Sequence, residues 1–407
     1  MLSTTGIALR SQIGCLVTSS ATPLPFRLVV TGGGTGGHTY PALTAVRTLR
    51  NRLAGQGRGL EVLWIGTAEG LEARVAPAEG IPFTTVATGK IRRSSNPLKM
   101  LGPANVKDMA RVPLGVAQAR SRIAEFAPDV VLATGGYVAV PAGLAARLCR
   151  RPLVLHEQTV RLGLANRKLA GSATRIAVSS ESSLSLLPQD VRASAVVTGN
   201  PVRPEVLTGN ADKAVTALEL TGFDRGLPTL YVTGGAQGAQ QINQVIAQSL
   251  PWLLERANVV HQCGPANVDE LRTFAASLPA ALSGRYHLTG FVGPELPDVL
   301  ALADVVVSRS GAGTLAELTA LGKPAVFIPL ASSAGNEQAH NARHLQESGA
   351  AVALEGETSP QRLQAALGPL LTDPARRAGM AQAAREHGRP DAAERLVDVL
   401  LEAARTA

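Results

Sequence analysis

Aromatic side chains make up only 3% of the 407 residues, so the cores of this protein have to be built from Val, Leu, Ile and Ala. Cysteine is scarcer still. Cys15, Cys149 and Cys263 form no C-x-x-C pair and have no histidine at metal-binding spacing, which excludes a disulfide scaffold or a zinc module and points to a reducing cytoplasm. No apolar run approaches the roughly 18 residues that a bilayer crossing requires. No Asp-x-Asp doublet occurs, so no metal site is expected.

What is present is 45% hydrophobic and 17% charged residue, the mixture of a well-packed protein. At about 100–200 residues per domain, this length implies two domains and a cleft between them. The net charge of +8 is concentrated in one place: Gly89 to Arg122 holds Lys90, Arg92, Arg93, Lys99, Lys107, Arg111, Arg120 and Arg122 against Asp108, a local charge of +7. Residues 1–26 carry no acid and many Ser and Thr around a short, broken apolar run. A disordered extension is expected there, with a targeting peptide as the alternative.

From Arg27 the chain says one thing twice. Leu28-Val29-Val30 reads as a buried strand running into Thr31-Gly32-Gly33-Gly34-Thr35-Gly36-Gly37-His38, and some 200 residues later Leu230 to Ala239 matches Leu28 to Gly37 at six of ten positions. Asp129-Val130-Val131-Leu132 and Asp304-Val305-Val306-Val307 each lead through a glycine turn to an Ala-rich helix, then to the strands Pro152–Leu155 and Pro324–Ile328. Continuous Val/Ile/Leu runs separated by helices are what a parallel sheet covered on both faces requires. The fold class is therefore α/β, two Rossmann-like domains with parallel sheets. Residues 27–200 form the first domain and 201–390 the second, with the joint at Gly199-Asn200-Pro201-Val202-Arg203-Pro204. A helix over about 391–405, with Leu396, Val397, Val399 and Leu400 at helical spacing, is expected to pack back on the first domain.

Strand, glycine turn and helix together make an anion site, because main-chain N–H groups can approach a phosphate and the helix start adds partial positive charge. Gly135-Gly136-Tyr137 and Ser310-Gly311-Ala312-Gly313-Thr314 stand at strand ends in the same way. Gly32-x-Gly34-x-x-Gly37 formally satisfies a dinucleotide fingerprint, but the next strand, Glu61–Ile65, ends in Gly66-Thr67 without the acid that would hold a ribose. In the loop from Ser310, Glu317 lies about a turn into the helix, where a carboxylate can accept both vicinal hydroxyls of a ribose while the helix start meets a diphosphate.

These motifs resemble the MurG family, lipid-linked N-acetylglucosaminyltransferases of bacterial cell-wall synthesis. The likeness runs from Arg27 to about Ala404, through Gly33–His38, Gly135-Gly136-Tyr137, His156-Glu157-Gln158, Gly199–Arg203, Gly234-Gly235 with Gln237-Gly238-Ala239, and Arg309–Ala312. It implies a GT-B enzyme whose two domains face across a cleft, moving N-acetylglucosamine from UDP-N-acetylglucosamine to the muramyl sugar of undecaprenyl-diphospho-muramoyl-pentapeptide, lipid I to lipid II. By the same resemblance Arg203, Ala236, Val292, Ala312, Gly313, Thr314, Leu315, Ala316, Glu317 and Gln338 line the donor site, with Thr159 beside them and Thr35, Gly36 and Gly37 reaching across. Gly33, Gly34, His38, Gly135, Gly136 and Tyr137 receive the acceptor diphosphate. Three departures stand out: Thr159 where the family has Asn, Ala236 where it has Ser, and Glu337-Gln338 where it has paired glutamines. The same architecture leaves a UDP-N-acetylglucosamine epimerase or another GT-B transferase as the rival reading.

For the chemistry, His38 is the first choice of base, since an imidazole with an ordinary pKa of about 6.5 is mostly neutral near neutral pH. Glu157 is the alternative base or acceptor-orienting group. Inversion at the anomeric carbon and persistence of activity in chelator are expected, with no cofactor. Lys90, Arg92, Arg93, Leu98, Lys99, Met100 and Leu101 mix charge with apolar side chains in the manner of a segment lying on anionic lipid. This places the protein at the cytoplasmic face of the membrane, peripherally. Nucleic acid is not expected, as aromatics are scarce in the basic stretch. The resemblance also implies contacts with other cell-wall synthesis and division proteins.

Overall fold

A computed structural model describes residues 23–89 and 103–406, and for 103–109 and 334 the backbone alone. The basic and apolar residues from Lys90 to Leu101 that were assigned to a membrane surface lie outside the described residues. Among the described residues no helix is long and apolar enough to cross a membrane.

The described residues form thirteen strands in two sheets, with every pairing among them parallel. The first contains β1 (Phe26–Thr31), β2 (Leu60–Gly66), β3 (Phe83–Thr85), β4 (Val130–Ala133), β5 (Leu153–Glu157), β6 (Arg175–Val178) and β7 (Ala195–Val197), in the order β3-β2-β1-β4-β5-β6-β7. The second contains β8 (Thr229–Thr233), β9 (Asn258–Gln262), β10 (Tyr286–Thr289), β11 (Val305–Ser308), β12 (Ala325–Phe327) and β13 (Val352–Ala353), in the order β10-β9-β8-β11-β12-β13. Both orders reverse beside their first strand. That reversal, between β1 and β4 and between β8 and β11, is the switch point at which doubly wound sheets open a crevice.

Alternation along each strand feeds two cores per sheet. In β1, Leu28 and Val30 face the helix Gly36–Ala54, while Val29 faces the helices Pro103–Phe126 and Ala139–Leu148. In β8, Leu230 and Val232 pack with the helix Gln240–Leu254, whereas Tyr231 packs with Leu318 and Ala342. The sequence pattern suggests that the helix after β8 stops at Leu250, yet it runs through Pro251 to Leu254. Proline removes one N–H there, and burial of Leu253 and Leu254 outweighs the loss.

The helix Ala392–Arg405 follows the second domain in sequence and joins the first in space. Leu396, Val397, Val399, Leu400 and Ala403 are buried in the same cluster as Leu28, Val30 and Leu49. Arg52 pairs with Glu394 and Asp398, and Arg175 with Glu402 at 2.7 Å. The two chain crossings between the domains touch: a Cβ placed on Gly199 would lie 2.7 Å from Arg389 Cβ and 3.0 Å from Ala392 Cβ.

Candidate active site

All four glycine turns leave strands at the two switch points, and they open into one cleft of about 2940 Å³ walled by both domains. In the first domain the turns interlock. Gly136, at φ +83°, lies so close that a Cβ would sit 2.5 Å from the Gly33 carbonyl oxygen, and one on Gly135, at φ +102°, would sit 2.9 Å from His38 Cε1. A side chain at either position would push the two turns apart or displace the imidazole. Trp64 Nε1, buried beneath, donates to the Gly32 carbonyl at 3.3 Å.

Every described candidate residue lies on the wall of this cleft except Leu315, Ala316 and Gln338. Leu315 and Ala316 pack against the core of the second domain. Gln338 closes a turn: its Oε1 accepts from the Leu330 amide at 3.0 Å, and its carbonyl accepts from Ser310 Oγ at 2.7 Å. Ala236 and Val292 do line the cleft, but the Val292 amide donates to Gln262 Oε1 at 3.0 Å.

Helix starts supply the positive ends. The helix Ala312–Leu321 begins after Gly311 with no side-chain cap, and Gly36–Ala54 begins after Thr35 with neither a cap nor an acid in its first turn. Their first-turn amides are open to anionic oxygens, save that of His38, which donates to the Thr35 carbonyl at 3.2 Å. One amide in the first loop is already occupied. Glu72, fully buried, accepts from the Gly34 amide at 2.8 Å and from the Thr67 amide and hydroxyl at 3.0 and 2.9 Å. It is a residue that sequence reasoning passed over, although it stands in the helix directly after the strand searched for a ribose acid.

On the wall of the second domain, Arg203 from the domain joint meets Glu317 with Nε and Nη2 each 2.9 Å from Oε1. Burial raises the Glu317 carboxyl above its ordinary value, and Arg203 works against that. Gln262 ties this wall together, donating to Thr233 Oγ1 at 3.1 Å and the Gly235 carbonyl at 2.9 Å, while Tyr231 donates to its Oε1 at 3.3 Å. Arg309 Nη1 holds the loop after β12 through the carbonyls of Ile328 and Pro329 at 2.8 and 3.1 Å.

The two proposed bases differ sharply in surroundings. Glu157 Oε1 accepts from the Thr159 amide at 3.2 Å and lies 2.8 Å from the Thr159 hydroxyl; Oε2 accepts from the Gly163 amide at 2.8 Å and Asn166 Nδ2 at 2.9 Å. Three N–H donors converge on the carboxylate with the Thr159 hydroxyl, whose single proton also reaches the Arg161 carbonyl, so Glu157 braces its own loop and draws Thr159 inward. Among the described residues the His38 side chain makes a single bond, Nδ1 to Gln158 Oε1 at 3.0 Å. Gln158 Nε2 in turn donates to the Thr134 carbonyl at 2.9 Å and lies 3.0 Å from His156 Nδ1. His156 is fully buried, which pushes its pKa down to about 4, and its Nε2 lies 3.1 Å from the Gly199 carbonyl. Gln158 belongs to a run quoted from the sequence, yet only the tertiary contact gives it a partner.

Residues 28–178 match the glycosyltransferase family 28 N-terminal domain and residues 229–396 the glycosyltransferase family 28 C-terminal domain. A curated relative from Desulforudis audaxviator (strain MP104C), named UDP-N-acetylglucosamine--N-acetylmuramyl-(pentapeptide) pyrophosphoryl-undecaprenol N-acetylglucosamine transferase, is 35% identical over 380 residues, covering 92% of this chain and 97% of its own. The chain belongs to the MurG family of glycosyltransferase family 28. Among solved structures it is similar to MurG of Acinetobacter baumannii, with a TM-score of 0.71 and 27% identity over 93% of this chain and 100% of that one. A UDP-N-acetylglucosamine 2-epimerase from Neisseria meningitidis, solved with UDP-N-acetylglucosamine bound, reaches a TM-score of 0.61 at 16% identity over 92% and 99%. That likeness speaks for the fold alone. MurG-family membership accords with the GT-B class read from the sequence and makes the chain a glycosyltransferase.

Proposed function

We propose that this chain is an inverting transferase that moves N-acetylglucosamine from UDP-N-acetylglucosamine to the muramyl hydroxyl of undecaprenyl-diphospho-muramoyl-pentapeptide, working peripherally at the cytoplasmic face of a membrane. The observation that carries this reading is one cleft lined by glycine turns and uncapped helix starts from both domains, with a histidine beside those of the first and a carboxylate–arginine pair beside those of the second. The donor ribose binds the free oxygen of Glu317, and its diphosphate meets the open amides after Gly311. The acceptor diphosphate lies along the turns at Gly33 and Gly135. As the acceptor oxygen attacks the anomeric carbon, its proton passes to His38 Nε2. The bond from that carbon to UDP breaks with its electron pair leaving on the diphosphate, where preorganised amides stabilise the charge. Attack opposite the leaving group inverts the centre.

The test is UDP release and product formation with a short-chain version of the acceptor lipid, in EDTA. Stoichiometric UDP and a new disaccharide lipid are expected. Turnover of UDP-N-acetylglucosamine without any lipid would mark an epimerase instead, and loss of turnover in EDTA restored by a divalent ion would overturn the metal-free chemistry.

A further inference from the structure

We infer that Gln158 is a positioning residue that holds the His38 imidazole as the Nδ1–H tautomer, leaving the Nε2 lone pair for the acceptor hydroxyl. The inference rests on the reading of His38 as the base, and it deepens that reading by naming what orients the ring.

The orientation of the Gln158 amide is over-determined. Its Nε2 faces the carbonyl oxygens of Thr134 at 2.9 Å and His156 at 3.1 Å, so turning the amide over would set oxygen against oxygen at both. The amide oxygen is thereby fixed toward His38, 3.0 Å from Nδ1. A carbonyl oxygen accepts and never donates, so Nδ1 must carry the hydrogen. The neighbour behind is equally constrained. His156 lies between the Gly199 carbonyl at 3.1 Å from Nε2 and the Gln158 amide at 3.0 Å from Nδ1, and only the Nε2–H form gives each contact one donor and one acceptor. Burial keeps that ring neutral, with a pKa of about 4, so it stays an acceptor toward Gln158. His38 thus donates to Gln158 and His156 to the backbone at the domain joint, while the two hydrogens of the Gln158 NH₂ are shared among three acceptors, the Thr134 and His156 carbonyls and His156 Nδ1.

His38 Nε2 has no protein partner among the described residues, and the ring lies on the cleft wall. When it takes a proton there, the Nδ1–H bond to Gln158 becomes charge-assisted and strengthens, which is the role an orienting third group plays beside a nucleophile's base. An amide does this without adding a negative charge beside the acceptor diphosphate.

The test reads the tautomer directly. The whole protein is labelled with 15N-histidine, and long-range proton–nitrogen spectra are recorded at about pH 8, where an ordinary imidazole is neutral. The His38 signals are those lost in His38→Gln. Wild type is expected to show Nδ1 protonated and Nε2 bare; a dominant Nε2–H form, or an even mixture, would overturn the inference. In Gln158→Leu the preference should vanish, with kcat falling on the order of tenfold or more while the KM for UDP-N-acetylglucosamine holds. Unchanged kcat in a Gln158→Leu protein that melts as wild type would also overturn it. Should that variant fail to fold, the wild-type spectrum still decides. Full turnover in His38→Ala is a separate result, which removes the base reading and leaves the tautomer measurement standing.

Discussion

Arg203 holds Glu317 by one oxygen only, with guanidinium Nε and Nη2 both 2.9 Å from Oε1. The arrangement leaves Oε2 for a ribose while compensating a buried charge from a residue of the domain joint. Its pH behaviour follows. Burial raises the Glu317 carboxyl and Arg203 lowers it, the first effect being the larger. The ionised form accepts ribose hydroxyls, so donor affinity is full above that raised pKa and is lost as the pH falls through it. Arg203→Met removes the opposing charge, and the acid limb of the donor KM should move to higher pH. Glu317→Gln should raise donor KM about tenfold and flatten its dependence on pH. KM for UDP-N-acetylglucosamine against pH, for the three proteins, checks both; a limb that stays in place in Arg203→Met contradicts the assignment.

Glu157 and His38 separate by what each loses. His38→Ala should cut the single-turnover rate by about 10²- to 10⁴-fold with donor binding intact. Glu157→Gln would set an amide NH₂ against donors, either Thr159 or the Gly163–Asn166 pair, and should lower stability by about 1–3 kcal/mol. Urea denaturation beside single-turnover kinetics distinguishes the two. A Glu157→Gln protein of wild-type stability with no turnover would restore Glu157 to the chemistry.

Glu72 gives a third outcome. Its oxygens bind only donors, the Gly34 amide and both groups of Thr67. In Glu72→Gln the new NH₂ meets a backbone N–H in either orientation, that of Gly34 or that of Thr67, a conflict of about 1–3 kcal/mol in a fully buried place. With the acceptor diphosphate on the loop it holds, as proposed, the acceptor KM should rise while the donor KM stays. Equal rises in both would mean that Glu72 supports the fold without favouring one site.

Glycine turns at strand ends are local patterns, so all four could be read from the chain, and the parallel topology then brings them together without further information. Residues whose meaning is tertiary could not be read this way. Glu72 sits 38 positions from Gly34, and Gln158 sits 120 positions from His38. The strand ends in Gly66-Thr67 without an acid, yet a carboxylate arrives there from the following helix; its burial and its bond to Gly34 show that it serves the loop. Gln338 has the right residue type for a sugar hydroxyl but is turned to the Leu330 amide, and residue type does not reveal such a turn. Thr159, whose hydroxyl stands one bond nearer the backbone than the amide atoms of an Asn, is drawn to Glu157 and the Arg161 carbonyl.

The basic stretch reaches the cleft, since Arg111 in the helix Pro103–Phe126 is part of its wall. A surface that presents lipid to the cleft would sit beside it. Changing Lys90, Arg92, Arg93 and Lys99 to Ser should weaken flotation with anionic liposomes, each charge being worth about 1 kcal/mol near such a surface at moderate salt. Turnover of a water-soluble, short-chain acceptor should be unaffected. Equal flotation of the variant would remove the membrane role from this segment.

The terminal helix makes a mechanical prediction. Leu396 and Leu400 are wholly buried in the first domain's core, though the chain reaches them only after completing the second. Leu396→Ala should therefore cost about 2–5 kcal/mol, and the cost should fall on the first domain's unfolding, where Trp64 fluorescence reports. UDP binding, which belongs to the second domain, should keep its affinity below that transition. The first residue of the helix, Ala392, and Arg389 just ahead of it lie against Gly199, whose carbonyl accepts from His156. Loosening the helix thus frees the joint from which the His156–Gln158–His38 bonds start, and kcat should fall before unfolding begins. A Leu396→Ala protein that loses stability yet keeps full kcat at low temperature would show that the joint and the base are mechanically independent.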